Sequence, residues 1–295
     1  MRVLSFKELL KLVWLDKYKI IVAFVIFSVG AVFYALSLPN LYSSKIVVSS
    51  TINENNKLSG SLGGLASMAG ISLGGGEMSP EVVKESLVSN SFLGEFVEEN
   101  NLSVILFAAQ SYDPSSDLFI LDESIYDSSS KQWTRKVIYP QEAAPSKDEM
   151  AKKLKEFITV GYDRKTKLIS VILSSYSPEF SKSTLESLIL SFNNYMKLKE
   201  KNEALATISY LKDKLNSEKV SEVRLSLQQL LEEQLKKLAL AETKTEYALK
   251  VIDKPLKPYQ KSGPKRSIIC LGITAFGTFL TILTLLSLRI SRLER

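Results

Sequence analysis

The chain contains no histidine, which removes the commonest general base, proton shuttle and neutral metal ligand in one step. Its one cysteine, Cys270, lies inside an apolar run, so no disulfide can form even in an oxidising compartment. Ser-Lys dyads and paired carboxylates stay open as chemistry, because Ser, Lys and Glu are abundant along the whole chain. Two stretches invite a sharper reading. Residues 59–76 hold more than half of the 13 glycines, yet no Lys or Arg lies between Lys57 and Lys84, so the GxxxxGK[ST] phosphate loop is missing. A mobile small-residue loop, ordered against a neighbouring subunit, fits better. Asp113, Asp117, Asp122, Glu123 and Asp127 gather in a serine-rich stretch, but the D-x-[DN]-x-[DN]-G calcium pattern is absent and a solvated acidic loop is the expectation. The sequence therefore reads as a non-enzyme that needs no cofactor and no metal.

The elements that would position any such residue start with two apolar runs. Residues 267–288 carry no charge and are flanked by Lys265 and Arg266 on one side and Arg289, Arg292 and Arg295 on the other. At about 1.5 Å per residue, a helix of this length matches the ~30 Å hydrocarbon layer of a bilayer. Residues 20–38 form a second charge-free run behind a basic leader with Trp14 and Tyr18 at its edge. A cleaved signal peptide is the competing reading, with Ala35-Leu36-Ser37 as its site, but the run exceeds the ~7 to 15 apolar residues usual there. The basic excess in 1–19 predicts a cytoplasmic N-terminus, and two crossings return 289–295 to the same side, where no further folded part is expected. Residues 39–266 then form one extracytoplasmic body. The net charge of +6 and pI near 9.1 are modest once the membrane flanks are set aside, and neither charge nor topology favours nucleic acid.

Within that body, residues 41–52 read as a strand leaving the membrane. Ser79-Pro80-Glu81 opens a helix, and apolar residues from Val82 to Val97 recur at helical spacing. Residues 102–108 fit either a strand or a helix end, 111–131 read as loop, and 133–139 as a strand ended by Pro140. Ser146 with Glu149 makes a capping box, and 157–163 with 167–175 flank a polar turn at Arg164-Lys165-Thr166, a hairpin signal. Strand, helix and hairpin together predict an α+β base over 39–177.

Residues 178–250 contain neither glycine nor a further proline after Pro178, a run far beyond the ~11 to 12 residues of an average helix. Leu185, Leu188, Ile189, Phe192, Tyr195 and Met196 form one stripe, continued by Leu205, Ile208, Leu211 and Leu215. Val220, Val223, Leu227 and Leu230 keep heptad spacing before Leu231, Leu235 and Leu238 take over in a shifted phase. Asn216-Ser217 is the expected turn of a helical hairpin. Part of the stripe packs within the subunit. Val223, Leu227, Leu230, Leu231, Leu235 and Leu238 are the candidates for contact with other subunits.

Residues 251–266 read as a proline-rich approach to the second run. Pro255, Pro258 and Pro264 favour stiff extended backbone at roughly 3.1 Å per residue, a short rod that sets how the body stands on the bilayer. At 251–258, followed by Lys261, Ser262, Gly263, Pro264, Lys265 and Arg266 and the second apolar run, the chain resembles the bacterial chain-length determinant (Wzz-type) polysaccharide co-polymerases. The likeness extends to Glu246-Tyr247-Ala248, the Ser177-Pro178-Glu179 helix start, the glycine-rich 59–76 segment and Leu41-Tyr42. It covers nearly the whole chain through order and spacing rather than one decisive motif, with Pro255, Pro258, Gly263, Pro264 and Lys265 as its juxtamembrane residues. The resemblance implies a multi-pass inner-membrane protein with a periplasmic body and cytoplasmic termini. Its copies would form a ring or bell and act with a membrane polymerase on a lipid-linked polysaccharide, setting the modal length of a surface glycan such as lipopolysaccharide O-antigen. The alternative is a capsule or exopolysaccharide export adaptor of the tyrosine-kinase-coupled type without the kinase domain. A sensor or an efflux adaptor would need signalling helices or lipoyl-like strand pairs that the sequence lacks.

Overall fold

The computed structural model describes Trp14, residues 16–51 and residues 79–293. The glycine-rich 59–76 loop and most of the 1–19 tail lie outside the described residues. In chain order the elements are α1 (Lys17–Ser37), β1 (Tyr42–Ser50), α2 (Pro80–Leu87), α3 (Asn90–Glu99), α4 (Ser103–Ala108), β2 (Ala109–Asp113) and β3 (Leu118–Leu121). They continue with β4 (Tyr126–Asp127), β5 (Gln132–Trp133), α5 (Lys147–Phe157), β6 (Ile158–Asp163) and β7 (Leu168–Ser175). Then follow α6 (Pro178–Ser217), α7 (Ser221–Thr243), β8 (Leu249–Asp253) and α8 (Arg266–Leu293). The fold class is mixed, helices with an antiparallel sheet. It divides into a unit over Tyr42–Gln260 and another made of Met1–Leu41 with Lys261–Arg295.

The larger unit is built on a four-stranded sheet in the order β6-β7-β1-β8, every neighbour antiparallel. Strand alternation supplies its core face: Ile169, Val171 and Leu173 from β7 and Ile46 and Val48 from β1 are buried, while Ser170, Ile172 and Ser174 between them are half-buried on the other side. Over the buried face lie α2, α3, α5 and the first half of α6, contributing Val83, Leu87, Phe92, Phe96, Val97, Leu154, Leu185, Leu188 and Phe192. Phe92 meets Phe192 edge-on at 5.0 Å. Burying each such side chain contributes about 1.5–3 kcal/mol.

Caps set the helix starts. Ser79, Ser89 and Ser177 each accept a backbone N–H three residues on, and Ser146 with Glu149 forms the reciprocal capping box. Ser89 also explains a difference from the sequence reading. The apolar run through Val97 is two helices, α2 and α3, because the Ser89 side chain starts a new one by accepting from the Phe92 N–H. Gly94 allows α3 to cross α5 closely, since a Cβ there would lie 2.6 Å from the Lys147 carbonyl oxygen.

One open alternative resolves and two further expectations change. Residues 102–108 resolve to a helix, α4. The acidic stretch expected as loop forms two small hairpins, β2–β3 and β4–β5. Its carboxylates hold turns: Asp113 accepts from Ser115 N and Ser116 Oγ, Asp122 from Ser124 Oγ and N, and Asp127 from Ser130 Oγ and Ser129 N. These bonds hold all three carboxyls below their ordinary range. The strand expected over 133–139 stops at Trp133. The N–H groups of Thr134 and Arg135 both turn back to the Ile125 carbonyl, so no ladder can continue.

In the smaller unit α1 and α8 pack as an antiparallel pair. Cys270 Sγ donates to the Ala31 carbonyl at 3.6 Å, and an Arg266 guanidinium N–H donates to the Leu38 carbonyl at 2.8 Å. Ala31 and Ala35 are buried. A Cβ on Gly277 would sit 2.5 Å from the Phe27 ring, whereas Gly272 faces open space, so one of the two span glycines serves close packing. The spans Lys17–Ser37 and Arg266–Leu288 are long and apolar enough to cross a membrane, and only 11% and 6% of their apolar windows are buried. Neither is buried as the core helix of a soluble domain is.

Candidate assembly surface and juxtamembrane segment

The hairpin of α6 and α7 is the largest helical feature and carries six of the residues singled out in the sequence. Its 40-residue first helix divides into two functions. The first half belongs to the core. Beyond Met196 the buried residues are Ala204, Ile208 and Leu211, at the four- and three-residue spacing of one face, where α6 meets α7. The reversal falls at Glu218–Val220, one residue past the expected Asn216-Ser217, and the Glu218 carboxylate accepts the N–H groups of Lys219 and Val220 at 3.0 Å. At the base, Lys201 Nζ meets Glu242 at 3.1 Å and Lys197 Nζ donates to the Glu242 carbonyl.

Along α7, Leu227, Leu230, Leu231 and Leu238 are half-buried and Ala241 is fully buried, so the two heptad phases share one intrachain face. Val223 and Leu235 are 41% and 46% exposed. Beside them stand Leu225 and Leu240, with Leu198, Leu205 and Tyr210 exposed on α6. An extended helix pair with this many uncovered large apolar side chains has more apolar surface than two helices can shield.

The hairpin is tied to the sheet by a residue that sequence reading missed. Asn193, 3% exposed, accepts the backbone N–H groups of Ala248 and Leu249 through Oδ1, both at 2.8 Å, and donates through Nδ2 to the Leu249 carbonyl at 2.9 Å. All three polar contacts of its amide group end on the start of β8. An asparagine amid leucines was the one available signal. Beside it, Thr51 Oγ1 donates to the Tyr247 carbonyl, and burial, with Glu200 and Glu203 nearby, pushes the Tyr247 hydroxyl up to about 12. Arg135 was also missed. Its guanidinium contacts both carboxylate oxygens of Glu149 at 3.0 and 3.2 Å and donates to the carbonyls of Ala143 and Glu142.

The juxtamembrane residues divide between the two units. The head of the segment, 251–253, completes the edge strand β8 with Leu249 and Lys250 from the end of the run expected to be helical, whose helix stops at Thr243, because Val251 and its neighbours pair with β1 before the first proline intervenes. Pro255 is buried and Pro258 half-buried. The Leu256 carbonyl accepts from Ser44 Oγ at 2.8 Å and Lys257 Nζ lies 3.3 Å from Glu179. In the smaller unit, Gly263 forms an isolated bridge with Leu41, the Leu41 N–H donating to the Gly263 carbonyl at 2.9 Å. The Pro264 and Lys265 carbonyls accept the first N–H groups of α8. A Cβ at Gly263 would meet Leu41 at an ordinary 3.9 Å, so space there does not require glycine.

A small apolar cavity lined by Phe119, Phe157, Leu173, Tyr176 and Phe180 measures ≈ 10 Å³, about the size of one water molecule. Among the described residues no three His, Cys, Asp or Glu side chains gather as a metal site would require.

Residues 3–100 match the family model of the chain length determinant protein, Wzz. The match covers the first third of the chain, a segment that includes α1 and β1. No curated protein matches the sequence at a significant level. The fold is similar over 98% of both chains to a full-length bacterial polysaccharide co-polymerase, at 12% identity and a TM-score of 0.40. It is also similar to a fragment of WzzB, a polysaccharide co-polymerase from Salmonella Typhimurium, over 76% of this chain and 100% of that one, at 13% identity and a TM-score of 0.34. At these scores the structural likeness carries no argument; the family model does.

Proposed function

We propose that this protein is a non-catalytic polysaccharide co-polymerase of the inner membrane that sets the modal chain length of a surface glycan, lipopolysaccharide O-antigen before capsule. The observation that carries the reading is the chain length determinant match over 3–100 in a chain whose two apolar helices form an antiparallel pair. That pairing puts both outer helix ends on one side, in keeping with two cytoplasmic termini and a periplasmic body. It also speaks against a cleaved leader, since a segment destined for removal has no use for a fitted partner helix.

Copies assemble side by side through exposed positions of the hairpin, with Val223 and Leu235 at the contact and Leu227, Leu230, Leu231 and Leu238 supporting them from within the subunit. The ring so formed repeats one surface toward the membrane polymerase or its lipid-linked product, and its geometry biases when elongation stops. Pro255, Pro258, Gly263, Pro264 and Lys265 join this body to its second span. Deleting the gene and resolving the lipid A-linked sugar ladder on a gel tests the reading. The modal cluster of bands disperses and returns on complementation; a ladder unchanged by deletion, with capsule export impaired instead, replaces it with the export-adaptor reading.

A further inference from the structure

From Lys254 to Arg266 the chain carries Lys254, Lys257, Lys261, Lys265 and Arg266 and no acidic residue. Between these lie Leu256, 76% exposed, and Tyr259, 91% exposed. Their backbone is held, not loose. Pro255 is buried, the Leu256 carbonyl accepts from Ser44 Oγ at 2.8 Å, and the exposed Lys257–Glu179 pair at 3.3 Å fixes the next residue. A leucine and a tyrosine are thus presented outward on anchored backbone, which gains nothing within the chain.

Covalent connection suggests what covers them. Seven residue steps separate Tyr259 from Arg266, where a helix long enough to cross a bilayer begins. Even fully extended, seven steps reach about 25 Å, which bounds how far Tyr259 can stand from the start of the span and leaves the headgroup layer within its reach. Tyrosine is amphipathic and collects at that depth, and lysine lays its stem along apolar surface while its ammonium reaches a phosphate. Each basic residue near an anionic leaflet raises partition roughly fivefold.

We propose that 254–266 lies in the headgroup layer of the bilayer, with Leu256 and Tyr259 seated at the acyl boundary and Lys254, Lys261 and Lys265 on the phosphates of anionic phospholipids. This rests on 266–288 spanning the membrane. Tyr139 is equally bare, 94% exposed, but lies on a loop with no span attached, and it serves as the internal control.

The test uses the full chain with Cys270→Ser, reconstituted in nanodiscs of phosphatidylcholine with or without phosphatidylglycerol. A nitroxide is attached through Tyr259→Cys, Tyr139→Cys or Phe276→Cys, and collisions with oxygen are compared with those of a water-soluble nickel chelate. The ratio of oxygen to chelate accessibility is expected to be high at 276, raised at 259 and low at 139. Adding phosphatidylglycerol raises it further at 259, and K254E, K261E and K265E together cancel that increment. A ratio at 259 equal to that at 139, with 276 still in lipid, overturns the proposal and leaves the span intact. An aqueous signal at 276 overturns the span and the proposal with it. Immersion at 259 that ignores phosphatidylglycerol overturns the assignment to anionic phosphates.

Discussion

Asn193 shows how much one side chain can decide. Its amide satisfies two N–H groups and one carbonyl of β8 inside the core, and a buried polar group left without a partner costs about 1–3 kcal/mol. Asn193→Ala strands these groups together, so a loss of about 3–5 kcal/mol is expected, read as a fall in the urea midpoint with the slope unchanged. Gly94 and Gly263 make a second contrast. At Gly94 a methyl group meets the Lys147 carbonyl at 2.6 Å, and at Gly263 it meets Leu41 at 3.9 Å. Gly94→Ala should therefore cost about 1–3 kcal/mol in the same measurement, since rigid backbone must move, whereas Gly263→Ala should leave the midpoint in place.

At the scale of elements, α5 and the segment before it are joined through Arg135 and Glu149. The guanidinium hydrogen bond, followed by the capping bond from Ser146 N, holds the Glu149 carboxyl below its ordinary range. A depressed carboxyl contributes stability that is fully present above the unfolded value of about 4.3 and is lost as pH falls through the lower folded value. Thermal melts should show Glu149→Gln narrowing its deficit against the parent as pH drops from 6 toward 3. An equal deficit at both ends would mean the charge is not what matters. Arg135→Ala should cost about 2–3 kcal/mol at neutral pH, because it releases the Glu142 and Ala143 carbonyls together with the carboxylate.

The whole molecule combines a closed core with an open hairpin. Leu188 and Phe192 on α6 are completely buried, and truncating either to alanine should destabilise the fold by about 3–5 kcal/mol. Val223 and Leu235 are exposed, so V223D with L235D should leave the melting of the single chain unchanged. In detergent or native membranes, mass photometry should show the same pair shifting the protein toward smaller species. Unaltered oligomer size would move the contact to another face of the hairpin.

Much of this was legible from local patterns. The two apolar runs, the alternation in β7, the Ser177-Pro178 helix start and the Ser146/Glu149 box are each written in a few consecutive residues, because hydrogen bonds along one helix or pleat depend only on near neighbours. The acidic hairpins were not, since Asp-Ser turns and a solvated loop share a composition and only cross-strand pairing separates them. Strand 133–139 failed for a related reason: its propensity was sound, but the backbone N–H groups of Thr134 and Arg135 go to the Ile125 carbonyl, nine and ten residues back.

By itself, then, the sequence determined the capped helix starts, the β6–β7 hairpin, the position of the two lipid-length runs, and that histidine chemistry is absent. The tertiary structure alone decided that residues 249–253, the end of the long helical run and the head of the proline-rich segment, become a sheet edge, and that Asn193 is the clamp holding them there. It also divided the leucines of α7 between the subunit's own packing and its free surface. Periodicity fixes a side chain's direction relative to its own helix axis, but burial depends on which distant element arrives to cover it.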